Sequence, residues 1–256
     1  MADQEFYKYH GAGNDFILID NRSGALSLDA TTIAQWCHRH YGVGADGLML
    51  LEAPRASSDH FYMQYFNSDG NESTMCGNGG RCIARFAVDL GIAAEGTLYF
   101  HAIDGPHSAV VSKTTVALSM IDAPAVVERN QGFYIDTGSP HHVENRTPGA
   151  DFVATARPIR HAYGPEGVNV NFIQACEGEL SIRTFERGVE NETLACGTGA
   201  TAAAMVAVAQ GWVPSAPVTI YAQGGILTVD FKGRGPFTDV VLTGPAVQVF
   251  KGKLQL

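Results

Sequence analysis

Two cysteines, Cys76 and Cys196, lie in motifs of the same form. In each, the cysteine is followed by Gly, a polar residue, Gly and a small residue: Cys76-Gly77-Asn78-Gly79-Gly80 and Cys196-Gly197-Thr198-Gly199-Ala200. The glycines predict a tight turn that opens a helix, with free backbone N–H groups pointing towards one spot. Such groups bind anions and stabilise a thiolate. Each motif can therefore hold a thiol base or nucleophile beside an anion site.

The number of motifs decides between two kinds of thiol chemistry. A single motif could belong to a cysteine hydrolase, which needs a histidine to activate its thiol. Two equivalent motifs, facing each other across a domain cleft, indicate inversion at a carbon instead. A thiolate removes a proton from one face, a thiol delivers a proton to the other, and the helix N-termini stabilise the charge that develops.

No motif indicates a cofactor or a metal. The five lysines lie in no obvious pyridoxal phosphate context, and no G-x-G-x-x-G fingerprint follows a strand. The first cysteine motif lacks the Lys-Ser/Thr of a phosphate-binding loop. The histidine pairs His38/His40 and His141/His142 have poor spacing for a helical metal site. We therefore expect a cofactor-free, metal-free reaction.

The elements that position these motifs are many short strands and few helices. Apolar patterning predicts helices over 29–41, with Asp29 as N-cap, over 80–90 and over 199–210, the last two ended by Gly91 and Gly211. Predicted strands cover 6–10, 16–20, 48–52, 61–67, 110–120, 132–136, 167–174, 179–185, 218–221, 226–231 and 239–243. This pattern favours an α+β fold with mostly antiparallel hairpins.

The two cysteine motifs belong to a longer internal repeat. In both copies a strand ends in a polar, Gly-containing turn, and the cysteine follows Phe66 by ten residues and Phe185 by eleven. The repeat predicts two similar domains. We place the first at 1–120, with a C-terminal tail of 248–256 returning to it, and the second at 121–247.

Composition excludes several other classes of protein. Acidic residues outnumber basic ones by 26 to 17, so nucleic acid is an unfavourable partner. Residues 1–10 lack the apolar segment of a signal peptide, and no run is long enough to cross a membrane, which predicts a cytoplasmic protein. The five cysteines do not form a disulfide framework. We expect Cys37, Cys82 and Cys176 to be small buried apolar residues.

Several segments of the chain form one pattern together with the cysteine motifs. His10-Gly11-Ala12-Gly13-Asn14-Asp15-Phe16 opens it, Asn67-Ser68-Asp69-Gly70 precedes the Cys76 motif, and Phe185-Glu186-Arg187-Gly188 precedes the Cys196 motif. From end to end these segments resemble the opening motif and the two catalytic motifs of the diaminopimelate epimerase family. The resemblance implies two pseudo-symmetric α+β domains, each a β-barrel wrapped around a central helix. It also implies interconversion of LL- and meso-2,6-diaminopimelate, a step of lysine and cell-wall precursor synthesis, and is compatible with a homodimer.

The resemblance also implies roles for individual residues. Cys196 would take the proton from the LL-isomer while Cys76 donates one. The substrate-binding positions it implies are Asn14, Asn67, Gly77, Asn78, Asn169, Glu186, Arg187, Gly197 and Thr198, with His141 and Ser139 as auxiliary residues. Two positions depart from the family pattern. Gly47 stands where the family often has Gln, and Ser139 stands where it has Asn.

Two alternatives to this function stay open from the sequence. One is a different reaction on the same fold, such as a proline-type racemase or a phenazine-type isomerase. The pair Glu186-Arg187, which could bind a second amino-acid head group, disfavours a substrate with only one. The other is a binding protein without activity, which the presence of both cysteines disfavours.

Overall fold

The computed structural model describes residues 3–255, which fold into two compact units. The first unit comprises Met1–Leu118 and Pro245–Leu256, and the second comprises Ser119–Gly244. The last segment of the chain therefore packs with the first.

Eighteen strands and four helices make up the described part of the chain. The helices are α1 (Ala30–Cys37), α2 (Gly77–Asp89), α3 (Phe152–His161) and α4 (Gly197–Ala209). The strands are β1 (Asp3–Gly11), β2 (Asn14–Asp20), β3 (Gly47–Glu52), β4 (Phe61–Asn67), β5 (Glu72–Ser73), β6 (Gly96–Ala102), β7 (Gly105–Val111), β8 (Val116–Ser119), β9 (Val127–Arg129), β10 (Gly132–Asp136), β11 (Pro140–Asn145), β12 (Asn169–Cys176), β13 (Glu179–Glu186), β14 (Asn191–Thr193), β15 (Val218–Ala222), β16 (Gly225–Lys232), β17 (Thr238–Gly244) and β18 (Val247–Gln255).

The sheet of the first unit wraps around α2. Its strands are hydrogen-bonded in the order β18-β1-β2-β3-β4-β6-β7-β8, with the short β5 also paired to β4. Only β2–β3 and β4–β6 are parallel. Helix α2 contacts β1, β2, β3 and β7, whereas α1 packs Ile33 and Trp36 against the outer face of the sheet. Strand β3 is therefore buried on both faces.

The second unit repeats this topology around α4. Its strand order is β9-β10-β11-β12-β13-β15-β16-β17, with β14 on β13, and its parallel pairs β11–β12 and β13–β15 correspond to those of the first unit. Helix α4 contacts β10, β11, β12, β13, β15 and β16, and α3 covers β12 and β13. The predicted fold class is confirmed: two α+β units of one topology, each with a mostly antiparallel sheet around a central helix.

The composition of α4 explains its central place. Its side chains are almost all Ala, Val, Thr or Gly, and they are buried on every side. A helix that is apolar all round lies in a core rather than at a surface. Small side chains also let strands approach its backbone from several directions. None of the described helices has the length and apolar character needed to cross a bilayer.

Several predicted boundaries were wrong. Helix α2 begins at Gly77 rather than 80, and α4 at Gly197 rather than 199, because each cysteine is itself the N-cap. Helix α1 has Asp29 as its N-cap, as predicted, but ends at Cys37 because His38 is extended. The single strand expected over 110–120 is two strands, β7 and β8, separated by a turn in which Ser112 N–H donates to Thr115 O. Helix α3, with Pro158 inside it, was not predicted.

The three remaining cysteines differ in exposure. Cys37 and Cys82 are buried, as expected, and burial raises the pKa of the Cys37 thiol to about 12. The prediction for Cys176 was wrong, because this residue is exposed. It is the last residue of β12, paired with Glu179 where the hairpin turns away from the core.

Candidate functional site

Cys76 is the N-cap residue of α2. Its backbone is extended (φ −106°, ψ 149°), and Gly79 N–H donates to its sulfur across 3.2 Å. A Cβ at position 79 would lie 3.1 Å from Cys76 Sγ and 2.5 Å from Met49 Cε, so the first turn of α2 packs closely around the sulfur. The sulfur thus accepts a hydrogen bond at the positive end of the helix dipole, which favours its anionic form.

A chain of side-chain hydrogen bonds runs from Asn78 to the start of β2. Asn78 Nδ2 donates to Asn14 Oδ1 at 3.1 Å, and Asn14 Nδ2 donates to Asp46 Oδ2 at 2.6 Å. The structure thereby brings together three of the predicted positions of the first unit: Asn14, Asn78 and Cys76. Sequence reasoning missed Asp46, which orients the Asn14 amide.

Beneath these residues lies Arg81, whose side chain is 0% exposed. Its guanidinium donates to Asn78 Oδ1 and Gly77 O, both at 3.0 Å, and to Pro245 O at 3.4 Å. Burial lowers the pKa of Arg81. The guanidinium fixes both the Asn78 side chain and the first turn of α2, so it is a structural part of the site that the sequence analysis did not identify.

Asn67 and Gly47 form a cross-strand pair at the same end of this sheet. Asn67 is exposed at the end of β4, where its N–H donates to Asn71 O in the following turn. A Cβ at position 47 would lie 2.6 Å from both Phe66 O and the Tyr65 ring. The departure at Gly47 therefore has a steric reason, because no side chain fits there without moving the neighbouring strand.

Cys196 is the N-cap residue of α4, as Cys76 is of α2, but its side chain makes no capping hydrogen bond, and the Thr198 hydroxyl approaches its sulfur instead. Cys196 Sγ lies 3.5 Å from Thr198 Oγ1, and Thr198 Oγ1 lies 2.9 Å from His141 Nε2. The Thr198 backbone is anchored as well, since Thr137 Oγ1 donates to Thr198 O at 2.9 Å. His141, which the sequence suggested as an auxiliary residue, thus reaches Cys196 through one hydroxyl group.

His141 carries no charge at neutral pH. Its side chain is fully buried, and burial, reinforced by the positive charge of Arg187, lowers its pKa to about 3. Asn171 Nδ2 lies 3.0 Å from His141 Nδ1, and Thr184 Oγ1 donates to Asn171 Oδ1 at 2.9 Å. Asn171 and Thr184 are polar residues inside strands, where Asn is disfavoured, and this was the signal that sequence reasoning missed.

Asn169 joins the remaining predicted positions of the second unit. Its Nδ2 donates to Ser139 Oγ at 2.8 Å and to Pro140 O at 3.1 Å, while its Oδ1 accepts from Arg187 N–H at 3.0 Å. Ser139, although shorter than the Asn of the family pattern, is thus within direct hydrogen-bonding distance of a predicted substrate-binding residue.

Glu186 is the last residue of β13, and Arg187 follows it directly. Thr193 Oγ1 donates to Glu186 Oε1, and Arg187 Nη1 donates to Glu166 O at 3.4 Å. Both side chains are partly exposed, so an acidic and a basic residue follow each other in sequence at the end of one strand. Such a pair can bind an ammonium and a carboxylate group respectively.

Comparison with known proteins agrees with the motifs. A model of the family described as diaminopimelate epimerase matches residues 6–127 and 133–249. A diaminopimelate epimerase from Flavobacterium psychrophilum is 45% identical over 255 residues, covering 96% of this chain and 98% of its own. Another from Chlorobaculum tepidum is 41% identical, covering 96% and 99% of the two chains.

More distant proteins of known structure share the fold alone. A hydroxyproline epimerase from Agrobacterium vitis aligns with a TM-score of 0.72 at 14% identity, covering 98% of this chain and 92% of its own. A PhzF-family phenazine biosynthesis protein from Enterococcus faecalis aligns with a TM-score of 0.71 at 16% identity over the whole of both chains. With the family match spanning nearly the full sequence, this chain belongs to the diaminopimelate epimerase family.

Proposed function

We propose that the protein interconverts LL- and meso-2,6-diaminopimelate with two thiols and no cofactor. The observation that carries the proposal is the pair of cysteine N-caps, each at the start of the central helix of a unit with the same topology. Membership of the diaminopimelate epimerase family supports the substrate.

Cys196 and Cys76 exchange proton roles in this mechanism. For the LL-isomer, the Cys196 thiolate removes the α-proton and becomes a thiol, and the electron pair left on carbon delocalises into the adjoining carboxylate. The Cys76 thiol then delivers its proton to the opposite face and becomes a thiolate. The reverse reaction starts from that state. Before another LL-isomer reacts, Cys196 gives its proton to solvent water and Cys76 takes one up, which restores both groups.

The first turns of α2 and α4 would bind the reacting carboxylate. Backbone N–H groups of Gly77, Asn78, Gly197 and Thr198 are the proposed donors, because the N–H groups and the dipole at a helix N-terminus favour a bound anion. These donors stabilise the charge that moves onto the carboxylate when the α-proton leaves. The network from Arg81 to Asn78 keeps the α2 turn in place for this task.

The distal amino-acid group of diaminopimelate, the one that does not react, would be bound by side chains at the strand ends. We assign Arg187 to the distal carboxylate and Glu186 to the distal ammonium, with Asn14, Asn67 and Asn169 completing the contacts.

Arg187→Ala should then cost about 2–5 kcal/mol in kcat/KM, the scale for truncating one member of a buried charge pair. The matched control is Arg157→Ala, an exposed arginine on α3 that donates to Glu190 O, for which about 0–1 kcal/mol is expected.

We also place this reaction in lysine and peptidoglycan-precursor synthesis in the cytoplasm. The support is the family assignment, since the curated relatives are bacterial diaminopimelate epimerases.

Deuterium incorporation tests the two-thiol mechanism directly. In deuterated water without added cofactor, the wild-type protein should convert LL-diaminopimelate into meso product that carries deuterium at the inverted carbon. Cys76→Ala should still exchange the α-proton of the LL-isomer through Cys196 but should lose inversion by at least about 10²-fold, the scale for a general acid or base. Cys196→Ala should show the opposite pattern, exchanging only the D-configured centre of the meso isomer.

The matched control is Cys176→Ala, which replaces an exposed cysteine outside both motifs and should leave exchange and inversion unchanged. Inversion that continues at the wild-type rate in either motif variant would contradict the mechanism. Proline, hydroxyproline and lysine belong in the same assay. Faster exchange with one of these than with diaminopimelate would assign the chain to another reaction on this fold.

A further inference from the structure

A buried amide in the second unit determines which nitrogen of His141 carries the proton. Asn171, which is 0% exposed, places its Nδ2 3.1 Å from the backbone carbonyl of His142 and 3.0 Å from His141 Nδ1. A carbonyl oxygen only accepts hydrogen bonds, so the amide nitrogen must face it. Thr184 Oγ1 donates to the amide oxygen from the other side at 2.9 Å, which holds the same orientation.

The orientation of this amide has one consequence for the imidazole. An amide nitrogen only donates, so His141 Nδ1 must accept and cannot bear a proton. A neutral imidazole has one N–H, which must then be on Nε2. His141 Nε2 lies 2.9 Å from Thr198 Oγ1 and therefore donates to it.

The hydrogen bond from His141 determines where the Thr198 hydroxyl proton points. A hydroxyl has a single proton, and because Thr198 Oγ1 accepts from His141, that proton is available for Cys196 Sγ at 3.5 Å. In the opposite tautomer, Nε2 would take the Thr198 proton, and an oxygen lone pair would face the sulfur instead. Only the first arrangement stabilises a thiolate at Cys196.

We propose that Asn171 is a positioning residue for Cys196: it holds His141 as the Nε2–H tautomer, which directs the Thr198 hydroxyl proton to the Cys196 sulfur. The hydrogen bonds of the Asn171 side chain go to His141, His142 and Thr184, so Asn171 acts on the sulfur through His141 and Thr198. This inference deepens the proposed function. It rests on that function only in taking the Cys196 thiolate to be a catalytic base.

Nitrogen-15 NMR of the wild-type protein tests the first step without substrate. With His141→Gln to assign the signals, the His141 ring should show an unprotonated Nδ1 and a protonated Nε2 at pH 7. A protonated Nδ1 at His141 of the wild-type protein would overturn the proposal.

Asn171→Leu tests whether this arrangement stabilises the Cys196 thiolate. The control is Asn145→Leu, which changes an exposed residue at the end of β11. The readout is the pH profile of Cys196 alkylation by iodoacetamide, followed by mass spectrometry, with the Cys76 peptide as an internal reference. Loss of one hydrogen bond to a thiolate should move the Cys196 midpoint upward by about 0.5–1 pH unit and leave Cys76 unmoved. Thr184→Val should move it in the same direction by less.

Coincident Cys196 profiles in Asn171→Leu and Asn145→Leu would also overturn the proposal. Neither readout involves diaminopimelate, so inactivity towards that substrate would count against the proposed function and leave this inference standing. Equally, a failed tautomer test would leave the two-thiol mechanism intact.

Discussion

Gly199→Ala is a substitution for which helix propensity and packing predict opposite results. Gly199 is the third residue of α4, and alanine in a helix is ordinarily more stable than glycine by about 0.5–1 kcal/mol. In this position, however, an added Cβ would lie 2.6 Å from Asn171 Oδ1, 3.2 Å from Cys196 Cβ and 3.3 Å from His141 Cε1. The nearest of these atoms belongs to a fully buried amide that has hydrogen bonds on both sides.

The magnitude follows from how far Asn171 would have to move. Ordinary contact begins at 3.4 Å, so its oxygen must retreat by about 0.8 Å, which stretches the hydrogen bonds to Thr184 and His141 beyond normal length. Overpacking of this kind costs about 1–3 kcal/mol, and the helix gain offsets part of it. We expect a net destabilisation of about 1–2 kcal/mol, a melting temperature lowered by about 2–8 °C, and turnover reduced about tenfold.

Gly79→Ala is the comparison, since Gly79 is the third residue of α2. There the closest atom is Met49 Cε at 2.5 Å, the end of a flexible side chain that can rotate away. Thermal melts and turnover of both variants, measured in the same buffer, should show the larger loss of stability in Gly199→Ala. A Gly199→Ala protein at least as stable as wild type would refute the argument that the Asn171 network is rigid.

Three further predictions concern other parts of the chain. Burial holds the His141 pKa at about 3, below its unfolded value, so between about pH 6.5 and 3 the unfolded state binds a proton that the folded state does not. As the pH falls through this range, the free energy of unfolding should decrease by up to about 1.4 kcal/mol per pH unit. Urea titrations of His141→Gln should show a flatter dependence of this free energy on pH. Lys8→Met removes a buried partner 2.6 Å from Asp15 and should cost about 2–4 kcal/mol in urea unfolding, whereas Lys253→Met, in an exposed pair, should cost about 0–1. Cys176→Ser should remove the exposed thiol and leave kcat within about twofold of wild type; a larger loss would show that this residue has a role in turnover.

Much of the fold could be predicted from the sequence because its patterns are local. The Cys-Gly-x-Gly motifs mark the starts of α2 and α4, and period-two alternation marks strands such as β16. The prediction failed at two places. Residues 112–115 are a polar stretch that forms a local turn between β7 and β8, so the strand expected over 110–120 overlooked a signal present in the sequence. Helix α3 contains a proline, which argues against a helix in the local pattern.

The polar residues that support the candidate site were harder to predict for a different reason. Arg81, Asp46, Asn171 and Thr184 act through partners that are distant in sequence or on neighbouring strands. An arginine inside a Gly-rich helix start and a pair of asparagines at alternate strand positions are unusual, but the sequence does not show which atoms they meet. Register supplies that information: pairing of β11 with β12 puts His141 beside Asn169, and pairing of β12 with β13 puts Asn171 beside Thr184.

The two units share a topology, but different hydrogen-bond donors surround their cysteine sulfurs. Thr198→Val should therefore affect Cys196 and leave Cys76 unchanged. The sulfur of Cys76 accepts from the backbone N–H of Gly79, which no side-chain replacement removes, whereas Cys196 is approached by the Thr198 hydroxyl. Valine keeps the shape and the backbone N–H of residue 198 and deletes only the hydroxyl. Alkylation at pH 7 should therefore slow about three- to tenfold at Cys196, the effect of losing one hydrogen bond of about 1 kcal/mol, and stay constant at Cys76. Equal slowing at both cysteines would mean that the hydroxyl acts on the fold rather than on one sulfur. Such an asymmetry suits the proposed reaction, because LL- and meso-diaminopimelate are diastereomers, and a site that interconverts them has no need for two identical thiols.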